Sequence, residues 1–110
     1  MVTAETAVVL PVLLFVLVCA IAVMTVVGVQ LRCVDAAREG ARAAARGETD
    51  AVVGELAGRV APAAAVTTVR AAGDRVRVTV RVEVAPLGPV PWRTTVSAEA
   101  VAQREPAGSP

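Results

Sequence analysis

The sequence predicts an α+β protein: a long N-terminal transmembrane helix extending into a small domain with a short helix and a three-stranded antiparallel sheet. Three observations lead there. No charged residue occurs from Thr6 to Leu31, and apolar side chains dominate that run. A stretch of good helix formers, Arg32 to Arg46, follows without a break. Beyond Pro62 the apolar period changes from helical to alternating.

The apolar run is densest from Leu10 to Val18. A bilayer core needs about 20 such residues as a helix, and a helix satisfies its own backbone polar groups there. Pro11 removes one helix hydrogen bond, which membrane helices tolerate. A cleaved secretory signal fits poorly. No Lys or Arg precedes the run, and apolar residues continue past the small-x-small triplet Ala20-Ile21-Ala22 to Val29. A lipoprotein signal needs a small residue before its cysteine, whereas Val18 precedes Cys19. The transmembrane helix is therefore assigned to residues 1–31.

Residues 32–61 read as a helical stalk and a second short helix. Asp35 with Arg38, and Glu39 with Arg42, are i,i+3 opposite charges, and Arg38, Arg42 and Arg46 form an i,i+4 row, either a solvated face or a contact for lipid headgroups or a neighbouring subunit. Gly40 lowers helix stability, and Gly47 is a natural stop. A rod from Glu5 to Arg46 would be roughly 60 Å long. Val52, Val53, Leu56 and Val60 recur at helical spacing, with Thr49 or Asp50 as the cap and Pro62 beyond the end.

Residues 62–105 read as a small β domain. Val76, Val78, Val80, Val82 and Val84 alternate with Arg75, Arg77, Thr79, Arg81 and Glu83, the pattern of a strand with one buried face. Val66 to Arg70 is a strand partner across a turn at Gly73-Asp74. After the proline-rich stretch Ala85 to Trp92, Thr94, Val96, Ala98, Ala100 and Ala102 supply a third inward face. Residues 106–110 read as a disordered tail.

Composition narrows function. Aromatics are 2% of the 110 residues, so the outer domain has little aromatic area for its core and is expected to lean on a partner. Net charge is +1, which gives no global attraction for nucleic acid. The chain has no His, no nucleophile–base pair, no glycine-rich phosphate loop and no metal-ligand cluster, so no catalytic, cofactor or metal residue is assigned and an enzyme is not expected. The two cysteines, Cys19 and Cys33, lie fourteen residues apart on one helix. That separation is roughly 21 Å, against a disulfide limit of about 7 Å, so no bridge within the chain is expected.

Glu5 stands at the mouth of the apolar run, where an ionised carboxylate is costly unless it is solvated or paired. It fits the headgroup zone at a helix N-terminus, and equally a partnership with a cation of its own or another chain. Small residues Ala20, Ala22, Thr25 and Gly28 would let another helix approach closely.

The start Met1-Val2-Thr3-Ala4-Glu5-Thr6-Ala7, followed by Val8-Val9-Leu10-Pro11-Val12-Leu13-Leu14, resembles that of type IV pilin-like proteins of the TadE class. The stretch QLRCVDAAREGARAAARG, Gln30 to Gly47, resembles the region after the helix in actinobacterial TadE-like proteins. The resemblance implies a minor pilin, or pseudopilin, of the tight-adherence (Flp, type IVb) pilus. Its implied partners are the lipid bilayer, other pilin subunits, the assembly platform and, if a leader exists upstream, a prepilin peptidase; its cofactors are none. The family carries Glu at the fifth mature position, where Glu5 already stands counting from Met1. Either the sequence is the processed form or its start has been set at the mature boundary. Met1 and Glu5 are then the assembly residues, an ammonium and a carboxylate one helical turn apart. The arginines after the helix alone favour a cytoplasmic C-terminus. A basic leader would reverse that bias, and the family places the C-terminal domain outside the cytoplasmic membrane. The rivals are a membrane-anchored accessory protein that never enters a filament and a pseudopilin of a secretion machine.

Overall fold

In the computed structural model, which describes residues 2–103, the first helix α1 runs unbroken over Val2–Ala45, with Pro11 inside it. At about 1.5 Å per residue it is about 66 Å long. It dominates a shape of 81 × 21 × 20 Å. The tail assigned to residues 106–110 lies outside the described residues.

Helix α1 ends as its sequence suggests. Gly47 takes a φ of +86°, a conformation that suits glycine, and the Gly47 and Glu48 amides donate to the carbonyls of Ala44 and Ala43. These two bonds form the Schellman pattern that satisfies orphan helix carbonyls. Helix α2, Asp50–Val60, follows at once, with the Thr49 hydroxyl accepting from the Val52 amide.

Strands β1 (Val66–Ala72), β2 (Arg75–Val84) and β3 (Thr94–Gln103) form an antiparallel sheet in the order β1-β2-β3. Arg75 opposes both Ala72 and Gln103. The Gln103 side-chain amide donates to the Asp74 carboxylate at 3.0 Å, tying the end of β3 to the β1–β2 turn. That bond is the main cause holding the Asp74 carboxyl below its usual range. Alternation sorts the side chains as expected. Val76, Val78, Val80 and Val82 are buried and Val84 is half-buried, while Arg75, Arg77 and Arg81 are exposed on the other face. On that outer face Arg77 pairs with Glu99 at 3.2 Å, one diagonal step across β2 and β3.

The core lies between the inner face of the sheet and the second half of α1. One cluster joins Cys33, Ala36 and Ala37 to Val80, Val82 and Val96. The other joins Ala43 and Ala44 to Val53 and Ala57 of α2 and Val76 and Val78 of β2. Residues 32–61 and the sheet share both clusters, the former supplying seven of their twelve buried residues: Cys33, Ala36, Ala37, Ala43, Ala44, Val53 and Ala57. The ion pairs expected along α1 form only in part. Glu39 meets Arg42 at 3.6 Å, whereas Asp35 and Arg38 form no ion pair among the described residues.

The short turn between α2 and β1 holds Ala64 at a φ of +66°, with the Ala65 amide donating to the Pro62 carbonyl. Nothing in the run Pro62-Ala-Ala-Ala65 announces a left-handed residue.

Candidate functional site

The candidate site is the part of α1 that its own chain leaves bare. Every described residue from Val2 to Ile21 is exposed, and Ala22 is the first buried one. From there the helix is covered on one side. Val26 and Val29 pack onto the core cluster, and the Gln30 side-chain amide donates to the Ser97 carbonyl at 3.2 Å. The bare stretch, Val2 to Ile21, is about 30 Å long at about 1.5 Å per residue, the thickness of a bilayer's hydrocarbon core. The helix is long and apolar enough to cross a membrane, and none of its most apolar 18-residue window is buried. The span assigned to residues 1–31 thus divides in the structure: its last ten residues already carry the domain on one side.

Two hydroxyls of α1 bond back to their own helix. Thr6 donates to the Val2 carbonyl at 2.9 Å, and Thr25, just beyond the stretch, to Ile21 at 2.8 Å. Such back-bonding removes the cost of an unpaired hydroxyl in hydrocarbon. Glu5 sits in the first turn, exposed, beside Ala4, Val8 and Val9. Its charge suits the positive end of the helix dipole, and no cation pairs with it among the described residues. Met1, its expected partner, lies outside those residues.

The four small residues expected to admit a neighbouring helix do not share a face. At about 100° per residue, Ala20 and Ala22 point about 160° apart. Ala22 is buried under the molecule's own chain, while Ala20, Thr25 and Gly28 are exposed. An apolar stripe continues on the side away from the sheet: Ala20, Met24, Val27 and Leu31, spaced four, three and four residues, are all exposed. Both cysteines are free. Cys19 is exposed on the bare helix, and Cys33 is fully buried against the sheet, where desolvation raises its thiol pKa and the nearby Arg32 partly offsets the rise.

The sequence reading passed over one set of residues. Cys33, Ala36, Ala37, Gly40, Ala43 and Ala44 recur at spacings of three, one, three, three and one, and all are buried. They form the seam on which the sheet sits. Their small size along one helical face was the available signal, masked by the helix propensity of alanine, which explains the same residues without a partner.

No group of three or more metal-ligating side chains occurs among the described residues. No solved structure matches the chain. The chain is 43% identical over 76 residues to a protein of Mycobacterium tuberculosis named apoptosis inhibitor Rv3655c. That match covers 69% of this chain and 60% of the relative's length. The family model described as TadE-like protein matches residues 1–42, the bare helix and most of the seam behind it. Over residues 1–42, the helix that carries Glu5, the chain is similar to TadE-like proteins.

Proposed function

We propose that the chain is a structural minor pilin, or pseudopilin, of a tight-adherence type IV-like pilus. It is inserted in the cytoplasmic membrane as a single pass, with its C-terminal domain extracytoplasmic, and it assembles through its N-terminal helix without catalysing a reaction. The observation that carries this reading is the bare apolar helix from Val2 to Ile21, headed by Glu5, in a chain whose domain covers α1 only from Ala22 onward. A helix of that composition is stable in lipid or in a bundle of like helices and nowhere else. The exposed stripe Ala20, Met24, Val27, Leu31 extends the apolar surface alongside the domain, where a neighbouring subunit's helix would cover it. The partners in this reading are the bilayer, other pilin subunits and the assembly platform, with a prepilin peptidase acting if a leader is encoded upstream.

The test is the fate of an epitope-tagged chain in cells that make the pilus. It is expected both in the membrane and in filaments sheared from the surface. Confinement to the membrane, with filaments still formed, would replace the pilin with a membrane-anchored accessory protein. Pilus genes missing from the neighbourhood, with secretion genes in their place, would favour the secretion pseudopilin.

A further inference from the structure

Between β2 and β3 the chain runs from Ala85 to Trp92 without a charge and returns to the side of α1. There it forms an open, almost wholly apolar groove of about 580 Å³ between Phe15, Cys19 and Ala22 of the helix and Pro86, Leu87 and Trp92 of the loop. The loop thus hangs beside the upper end of the bare helix. Trp92 is 57% exposed and Val90 47% exposed. In water this arrangement is unfavourable, because the chain's single tryptophan leaves most of its apolar area wet.

We propose that the 85–92 loop is a second membrane contact, a foot that seats Trp92, Leu87 and Val90 in the interfacial layer where α1 leaves the bilayer. This rests on the reading of α1 as the membrane span. Three features choose a lipid surface as the occupant. The first is level: the bare stretch of α1 matches the hydrocarbon thickness and ends at Ile21, beside the groove, so a bilayer centred on it has its boundary at the loop. The second is the backbone. Pro86, Pro89 and Pro91 have no N–H, and the Gly88 and Val90 amides donate to the carbonyls of Ala85 and Leu87. A segment with so few open donors enters a poorly hydrated layer at low cost. The third is the distribution of polarity. Tryptophan prefers the interface, and the nearest charges, Glu83 and Arg93, pair with each other at 3.6 Å at the base of the loop, exposed to water.

The foot makes the domain's attachment two-point. The domain is packed on α1, so with α1 alone the tilt of the whole molecule is set by the helix; with Trp92 seated, the tilt that brings the loop toward the lipid is fixed.

The experiment uses the full chain reconstituted in phosphatidylcholine vesicles brominated either near the headgroup end of the acyl chains or near their methyl end. Trp92 fluorescence is expected to lie to the blue of the urea-unfolded chain. It should lose most of its intensity to the shallow bromines, less to the deep ones, and little to aqueous iodide. Strong iodide quenching without lipid quenching would overturn the proposal by placing the loop in water. Protection from both quenchers would overturn it by giving the groove to a second copy. The double variant Leu13→Trp, Trp92→Phe, with its probe outside the groove and near the middle of the bare stretch, reports the span independently and should be quenched by the deep bromines. If it is, and Trp92 is not quenched, the foot fails alone; if it is not, the membrane span fails and the foot with it.

Discussion

A β-carbon placed on Gly40 would lie 2.7 Å from a γ-methyl of Val78 and 3.2 Å from the Ala57 β-carbon, so α1, α2 and β2 meet closely at Gly40. Val78 is fully buried and β-branched, with little freedom to turn aside. Gly40→Ala is therefore expected to destabilise the domain by about 1–2 kcal/mol, overpacking outweighing a helix-propensity gain of up to about 1 kcal/mol. Gly54→Ala in α2, where the added carbon meets nothing within 4 Å, should instead be neutral or stabilising. Thermal unfolding of both variants in detergent micelles separates the effects, and equal behaviour would refute the close-packing role of Gly40.

The sheet makes the two faces of β2 unequal. Val80→Asp, at a fully buried position with no cation nearby in its cluster, is expected to cost more than about 3 kcal/mol and to unfold the outer domain. Arg77→Asp turns the exposed pair with Glu99 into a like-charge contact screened by water and should cost about 1 kcal/mol or less. Protease resistance of the domain, compared between the variants, checks the assignment.

Cys33 is expected to resist a water-soluble maleimide in the folded, membrane-inserted protein and to react fully after denaturation. Its raised pKa means that the fold prefers the neutral thiol. That contribution is complete below the ordinary thiol range, about pH 8.5, and declines as the pH rises above it. In a Cys19→Ala background, rapid labelling of the native chain would contradict the burial. A mass-verified internal disulfide in the unsubstituted chain would contradict the single helix.

Ala64 holds a left-handed backbone at a φ of +66°, which costs an L-residue roughly 1–2 kcal/mol. Ala64→Gly relieves that strain and loosens the unfolded chain by a comparable or smaller amount. A small net gain, up to about 1 kcal/mol, is expected in the unfolding midpoint. A clear loss of stability would show that this turn carries no strain.

Glu5→Gln keeps the shape of the helix start and removes its charge. The apolar run is untouched, so the variant should insert and accumulate in membranes as before. In the pilin reading it should be lost from filaments, because the carboxylate that pairs with a terminal ammonium and sets the axial register is gone; removing one partner of such a pair in a low-dielectric setting is costly. Quantifying the variant in membrane and sheared-filament fractions decides this. Normal incorporation would return Glu5 to a solvated headgroup site.

What the sequence determined by itself was periodic or local in character, though not every such feature: the left-handed Ala64 and the small-residue seam of α1 were not legible in it. The uncharged run from Thr6 to Leu31 announced a helix suited to lipid, because length and apolarity alone decide that partition. The alternation through β2 and β3, a cap at Thr49 or Asp50 and the stop at Gly47 each rest on one residue's stereochemistry or on a simple repeat, and each was legible, the structure choosing Thr49 as the cap. Only the tertiary structure decided which side of α1 meets what. Ala22 looked like an open small-residue surface until the 85–92 loop and the sheet were placed over it, and Gly40 looked like a weak point in a helix until Val78 was set against it. The pairing of α1 with β2 and β3 joins residues thirty or more positions apart, and its specificity lies in the fit of small side chains against valines. Apolar area of that kind is non-directional: the chain advertises that it will be buried, and only the assembled packing says by what.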